Sequence, residues 1–575
     1  MRLGALFPGV FWFAMAVCGS LCAESVRDGG REVSVALFST GRLASVTLTP
    51  LSSHAWTARC SGCDRTPLTG PIRFEGRREL FAGGALRVSD DDSHKERSAT
   101  GLWHLRSRGD GIDVVLTLPS ERYVEAVLNA EAAVDEPAES LRALAIVART
   151  YALNGAHFSA AAGHLAAESC DSTECQAMRL GPSSPAVEDA VWATAGETLW
   201  FRGRPAEVFF SENCGGGTED AGAVWPRLRG LPYLASHADP YCLRRGAAAW
   251  HGEVSLAELR SIAAAQGWHL PERIVAARVV ARSGSRRALR VEFFEDASHS
   301  AVVDAGALRI GIGRALGWNR IRSDGYELAL RGGVLVFDGR GYGHGVGLCQ
   351  AGAAEMAMEG KSARQILDFY FSGTAVGIGP EDRGWVASRL QSVAVRSTQE
   401  FSAGQKSEFE ELWRTAVGRF PSRKSIVPEV TFAPSTELFR QLASEPGWTL
   451  ASTRGSRIVL QPLAVLRRGG DDPQKALLHE MLHVLVEAEA TERAPLWLRE
   501  GLVEELAGEA GFPTAGISGE AIDAALLRAD SLGASGRAHR AAGWRVHLLV
   551  GRYGISVVRG WLVSGVPESV EAGVE

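Results

Sequence analysis

The chain has 575 residues, 46% of them hydrophobic, a formal net charge of −6 and a pI near 6.2. A single core does not serve a chain of this length, so two or three domains are expected. No long basic run is present, which argues against nucleic acid as the main partner.

At the N-terminus, Arg2 precedes an apolar run from Leu3 to Val17, interrupted by Pro8 and followed by Gly19, Ser20 and Ala23. This is the pattern of a signal peptide, assigned to residues 1–23. The run is short for a membrane span, and no later segment reaches about twenty apolar residues. The expectation is an exported protein, periplasmic or extracellular in the cell wall, with no transmembrane span after signal removal. Of nine cysteines, Cys18 and Cys22 fall in this segment, leaving an odd number. Cys60 and Cys63 form a local pair, read as a tight disulfide or half a metal site. Cys170 with Cys175 and Cys214 with Cys242 are further pairs, and Cys349 is left over.

From about residue 32 the chain alternates β-rich runs with turn residues: Val33 to Phe38, Ser45 to Thr49 and Ile112 to Thr117. An apolar run from Tyr123 to Glu131 follows, then a turn at Asp135-Glu136-Pro137 and a strong helix from Glu139 to Ala152. Further on come Phe209-Phe-Ser-Glu-Asn-Cys-Gly-Gly-Gly-Thr-Glu-Asp220, Asp239-Pro-Tyr-Cys242 and Gly339-Arg-Gly-Tyr-Gly-His-Gly-Val-Gly-Leu-Cys349-Gln350. In this order these segments resemble the SpoIID/LytB domain, over roughly residues 30 to 380.

The resemblance implies action on peptidoglycan glycan strands, either as a lytic transglycosylase or as an enhancer of cell-wall amidases. One carboxylate suffices for transglycosylation, because the muramic acid 6-hydroxyl attacks its own anomeric carbon. Glu131, between an apolar run and an apolar helix, is the catalytic candidate, with burial expected to raise its pKa. Arg149, Ser211, Gly215, Gly216, His344 and Gln350 are the corresponding substrate-binding candidates. The chain departs from the family pattern at Ala126, in place of Gly, and at Ala132-Ala133, in place of Met-Pro. Cys349 stands where the family usually has Ser.

His164, Cys170 and Cys175 lie close enough in sequence to suit Zn²⁺. SpoIID has a similar His, Cys, Cys arrangement that binds zinc, while in an oxidising compartment the two cysteines could equally form a disulfide. Cys214 and Cys242 bracket the Gly-Gly-x-Thr to Asp-Pro-Tyr block and are expected to be disulfide-bonded, contributing roughly 3–4 kcal/mol in the loop-entropy account.

The C-terminal part carries His479-Glu480-Met481-Leu482-His483 and then Trp497-Leu498-Arg499-Glu500-Gly501. Residues four apart share a helix face, so both imidazoles can hold one Zn²⁺, with Glu500 from a second helix as third ligand. Glu480 then serves as base. Asp472-Pro473 offers a helix start. The combination resembles the gluzincin metallopeptidases of the peptidase MA-like group, over roughly residues 395 to 575, with Val430 to Phe432 and Gly455 to Leu460 as upstream strands. Gluzincins usually add a Tyr or His that stabilises the oxyanion; Tyr553, His539 and His547 are candidates.

The fold class expected is therefore α+β and multidomain. A β-rich SpoIID/LytB domain (24–385) precedes a linker near 380–400 and a mostly helical gluzincin-like zinc domain (395–575). Zn²⁺ is the cofactor expected, and glycan strands, with or without cell-wall amidases, are the partners. The alternative function is a non-catalytic wall-binding protein or amidase enhancer that targets the metallopeptidase.

Overall fold

The computed structural model describes residues 32–571, apart from 40, 77, 109–110, 155–164, 173–174, 247, 382–383, 423, 469–471 and 510–516. The assigned signal segment and His164 lie outside the described residues. It is a mixed α/β, multidomain protein with a β-rich N-terminal region and a helical C-terminal region. No helix among the described residues is long and apolar enough to cross a membrane.

Among the described residues the N-terminal region builds a nine-stranded sheet around the long antiparallel strands Glu79–Asp90, Glu96–Arg108 and Gly111–Pro119. The expected strands are present as Glu32–Leu37, Val46–Pro50 and Gly111–Pro119. Glu32–Leu37 pairs antiparallel with Gly111–Pro119 and parallel with the short strand Ser169–Cys170. Alternation of Val33, Val35 and Leu37 points one face of that strand inward. Helix Ser120–Glu131 runs directly on from the third long strand and packs against helix Ala138–Asn154, burying Tyr123, Val127, Leu144 and Val147.

Residues 249–340 contain two three-stranded sheets and helices Leu256–Gln266 and Ala305–Leu316. They close around a separate core that includes Val254, Leu308, Phe293 and Phe337. From sequence this stretch is expected to belong to the single domain 24–385; its strands alternate apolar and polar residues in the same way as the main sheet, so the pattern shows strands without showing which core they join.

The expected linker is also revised. Strands Val386–Arg389 and Ala394–Ser397 already belong to a five-stranded sheet with Glu429–Phe432, Arg457–Leu460 and Ala451–Arg454. Burial of Val393 and Val395 accounts for the early start. The helices of this region bury Met481, Leu485, Trp497, Leu502 and Val546 in one core. Arg396 joins the two regions: its guanidinium lies over the rings of Trp192 and Trp385 and donates to the Trp192 carbonyl at 2.6 Å.

Candidate functional site

Glu131 is the last residue of its helix, where the chain turns outward at Ala132. The half-buried carboxylate accepts a hydrogen bond from the Ala177 amide at 3.0 Å. Burial pushes its pKa above the ordinary carboxylate value, and the charge of Glu212 adds to this against the Ala177 hydrogen bond. Gln350, at the start of helix Gln350–Met358, donates from Nε2 to the Glu131 carbonyl at 3.1 Å. The Ala177 segment is itself anchored, since Tyr123 Oη donates to Gln176 Oε1 at 2.7 Å and the Arg179 amide donates to the Ala126 carbonyl at 2.8 Å. Glu212 was not singled out from sequence, although it lies inside the segment that was.

Cys170 and Cys175 are joined in a disulfide with Cα atoms 5.6 Å apart, inside the range such a bridge spans, so they are not arranged as free thiolate ligands. The zinc reading of this pair is replaced by the disulfide one. Cys60 and Cys63 likewise form a local disulfide.

Arg149 does not reach the site. It is buried between the two helices, forming a two-pronged pair with Glu121 at 2.9 and 2.7 Å and donating to the Glu197 carbonyl at 2.9 Å. Its role is to lock these helices together. Arg149→Ala is expected to destabilise the protein by about 3–5 kcal/mol, because it strands a buried carboxylate; denaturant unfolding measures this, and unchanged stability would contradict it.

Gly215 and Gly216 adopt φ of 75° and 102°. A Cβ at 216 would fall 2.5 Å from the Leu243 side chain. Both therefore serve the backbone turn. Ser211 is buried, and its hydroxyl has no hydrogen-bond partner among the described residues. His344 accepts the Val346 amide at Nδ1, 3.0 Å away, and meets Trp225 edge-on with centroids 5.1 Å apart. Burial, with Arg309 and Arg287, holds it down to about 3, so the ring is neutral and the close hydrogen bond fixes its orientation.

The expected Cys214–Cys242 disulfide is not formed: Cys214, Cys242 and Cys349 are all free and buried. The Cys214 thiol donates to Asp239 Oδ2 at 3.2 Å and that of Cys242 to Asn213 Oδ1 at 3.1 Å. Strand Leu348–Cys349 pairs with Phe210–Ser211, so the third thiol arrives from a distant segment.

In the C-terminal region, helix Pro473–Glu489 starts as expected, with Asp472 Oδ1 accepting the Gln474 amide at 3.0 Å. His479 and His483 lie one turn apart with Nε2 atoms 3.2 Å apart. Helix Leu496–Ala507 brings Glu500 Oε2 to 3.3 Å from His483 Nε2. Gly501 lets helix Leu532–Tyr553 approach, since a Cβ there would lie 2.3 Å from the Ala542 carbonyl oxygen. That approach places His539 Nε2 at 3.2 Å from Glu500 Oε2, while His539 Nδ1 lies 2.9 Å from the Ser535 carbonyl oxygen. Of the three oxyanion candidates, His539 is the one at this cluster; His547 pairs with Glu505 and Tyr553 packs edge-on against Trp561.

His479 Nδ1 lies 3.0 Å from Glu509 Oε2, a partner that directs Nε2 toward the cluster. Burial opposes a charge on His483, but Glu500 outweighs it and holds this group up at about 9; His539 is held up at about 9 by the same balance. Burial would raise Glu500, yet the two imidazoles hold it well below the usual carboxylate value. Glu480 is buried beside the pair, with Oε2 accepting from Thr453 Oγ1 at 2.6 Å. Ligand atoms of His479, His483 and Glu500 all lie within 4.8 Å of one another.

These features define a mixed α/β, multidomain protein with a half-buried carboxylate site in its N-terminal region and a His/Glu cluster in its C-terminal region. Residues 108–201 match the family described as SpoIID, Stage II sporulation protein. Stage II sporulation protein D of Bacillus subtilis (strain 168) is 26% identical over 326 residues, 53% of this chain and 89% of that protein. Its Bacillus amyloliquefaciens counterpart is 26% identical over 276 residues, 46% of this chain and 75% of that protein. An uncharacterised protein of Brachyspira hyodysenteriae (strain ATCC 49526 / WA1) is 29% identical over 269 residues, 46% of this chain and 69% of that protein. Together they support the SpoIID family for the N-terminal region.

Proposed function

We propose that the N-terminal region binds and cleaves peptidoglycan glycan strands by transglycosylation, with Glu131 as the proton carrier. The observation that carries this reading is the placement of Glu131: a half-buried carboxyl at a helix end, with raised pKa and one backbone donor. Protonated Glu131 gives its proton to the glycosidic oxygen as the bond to the anomeric carbon breaks. The 6-hydroxyl of the same muramic acid forms the new bond to that carbon and returns a proton to Glu131. No water is consumed. The amide of Ala177 and the Gln350 contact to the Glu131 carbonyl hold the carboxyl in place through the cycle.

A second reading concerns the C-terminal region, as a zinc-dependent peptidase of the gluzincin type. It is favoured by the convergence of His479, His483 and Glu500, where buried Glu500 Oε2 has no well-formed hydrogen bond. A cation satisfies that oxygen and both facing Nε2 atoms together, so the residues fit zinc. Zinc would be held by these three side chains and would supply Lewis acidity toward a peptide carbonyl and the attacking water. Glu480 takes up the proton of that water, and His539 donates toward charge developing on the carbonyl oxygen. Exported location belongs to the same proposal.

The test is the release of soluble glycan from peptide-stripped peptidoglycan by the full-length protein. Release is expected, and it should fall as pH rises through the elevated pKa of Glu131, because only the protonated form is the acid. Co-sedimentation without release at any pH would leave a wall-binding protein and overturn the cleavage reading.

A further inference from the structure

Four residues outside both sites converge on one buried point. Cys214 follows strand Phe210–Ser211, Asp239 caps and Cys242 lies within helix Pro240–Arg244, and Cys349 closes strand Leu348–Cys349. Their ligand atoms all lie within 4.8 Å of one another, and all four residues are buried. We propose that Cys214, Asp239, Cys242 and Cys349 form a closed structural zinc site.

Three thiols cannot all be paired in disulfides, and the structure leaves all three free. Asp239 is 0% exposed and has no cationic side chain paired with it among the described residues. An ionised carboxylate so placed is costly unless a positive charge lies against it. A zinc ion supplies that charge. Tetrahedral Zn²⁺ with thiolates at about 2.3 Å sets neighbouring ligand atoms about 3.8 Å apart, so this group needs little adjustment to close on the ion.

The surroundings orient the ligands as the shell around a metal does. Tyr370 Oη donates to Asp239 Oδ2 at 2.8 Å and the Cys242 amide to Oδ1 at 2.9 Å. The amides of Cys214 and Gly352 donate to the Cys349 sulfur at 3.2 and 3.4 Å. Gly352 permits this packing, since a Cβ there would lie 2.6 Å from Asp239 Oδ2. Buried Arg287 donates to the Cys214 carbonyl at 2.7 Å, placing a positive charge beside a group that becomes anionic when the thiols lose their protons. With four protein ligands and no open position, the site is structural rather than catalytic. It pins the segment that ends in Gln350 and so braces the contact to Glu131.

Cobalt(II) substitution of the full-length protein separates this site from the C-terminal cluster, because only thiolate ligands give sulfur-to-cobalt charge-transfer absorption. The band is expected in wild-type protein, unchanged in His483→Ala, and lost in Cys242→Ser and Cys349→Ser. The wild-type spectrum decides even if a serine variant fails to fold. Absence of the band from natively folded, cobalt-treated wild-type protein would overturn the proposal, as would a 214–242 or 214–349 cross-linked peptide in protein purified without reductant. Zinc content of the His483→Ala protein provides the second reading: one equivalent supports the site, and none contradicts it. Neither result depends on peptidase or glycan-cleaving activity.

Discussion

Glu131→Gln is expected to lower glycan cleavage about 100- to 10,000-fold, the range that a positioned general acid contributes. The amide keeps the shape of the side chain and its acceptor for the Ala177 amide, so glycan binding should persist. Stability should move the other way. The folded pKa of Glu131 is raised, so its favourable protonated state contributes fully below the unfolded pKa, and that contribution is lost as pH rises through the folded value. Glutamine never ionises. At neutral pH the variant should therefore melt at or above the wild-type temperature, and scanning calorimetry beside a product assay checks both halves. Activity lost together with stability would point to a structural carboxylate instead.

Glu480→Gln is expected to lower peptide hydrolysis by a similar factor, about 100- to 10,000-fold, with zinc content unchanged. The reason is positional: Glu480 shares the helix of His479 and His483, yet its carboxylate bonds Thr453 and stands apart from the three converging ligand atoms. It is a base candidate and not a ligand. Metal analysis of His483→Ala should show the converse, a loss of one equivalent. Zinc lost from Glu480→Gln, or hydrolysis kept by it, would contradict these assignments.

What could be read from the chain was local. The spacing of His479 and His483 fixes their shared helix face, and Asp472-Pro473 marks where that helix begins. The apolar run ending in Glu131 and the helix after the Pro137 turn likewise emerge from period and turn chemistry. What could not be read was long-range. Arg149 sits in a family signature, but only the packed helices disclose that Glu121 occupies its guanidinium. Cys214 and Cys242 look like a pair until Cys349 arrives from a distant strand and Asp239, the cap of the Cys242 helix, turns its carboxylate to the same point. His539 stands out from His547 and Tyr553 only because the close approach at Gly501 brings its helix to Glu500. The separate core of residues 249–340 is hidden for the same reason, since strand pattern does not encode the partner sheet.

The central claim, transglycosylation by Glu131, is tested most directly by the mass of the new chain end produced when full-length protein cleaves peptide-stripped glycan. Intramolecular attack by the 6-hydroxyl predicts 1,6-anhydro ends, lighter by one water than hydrolytic ends, and none from Glu131→Gln. Reducing ends from the wild-type protein, or anhydro ends undiminished in the variant, would contradict it.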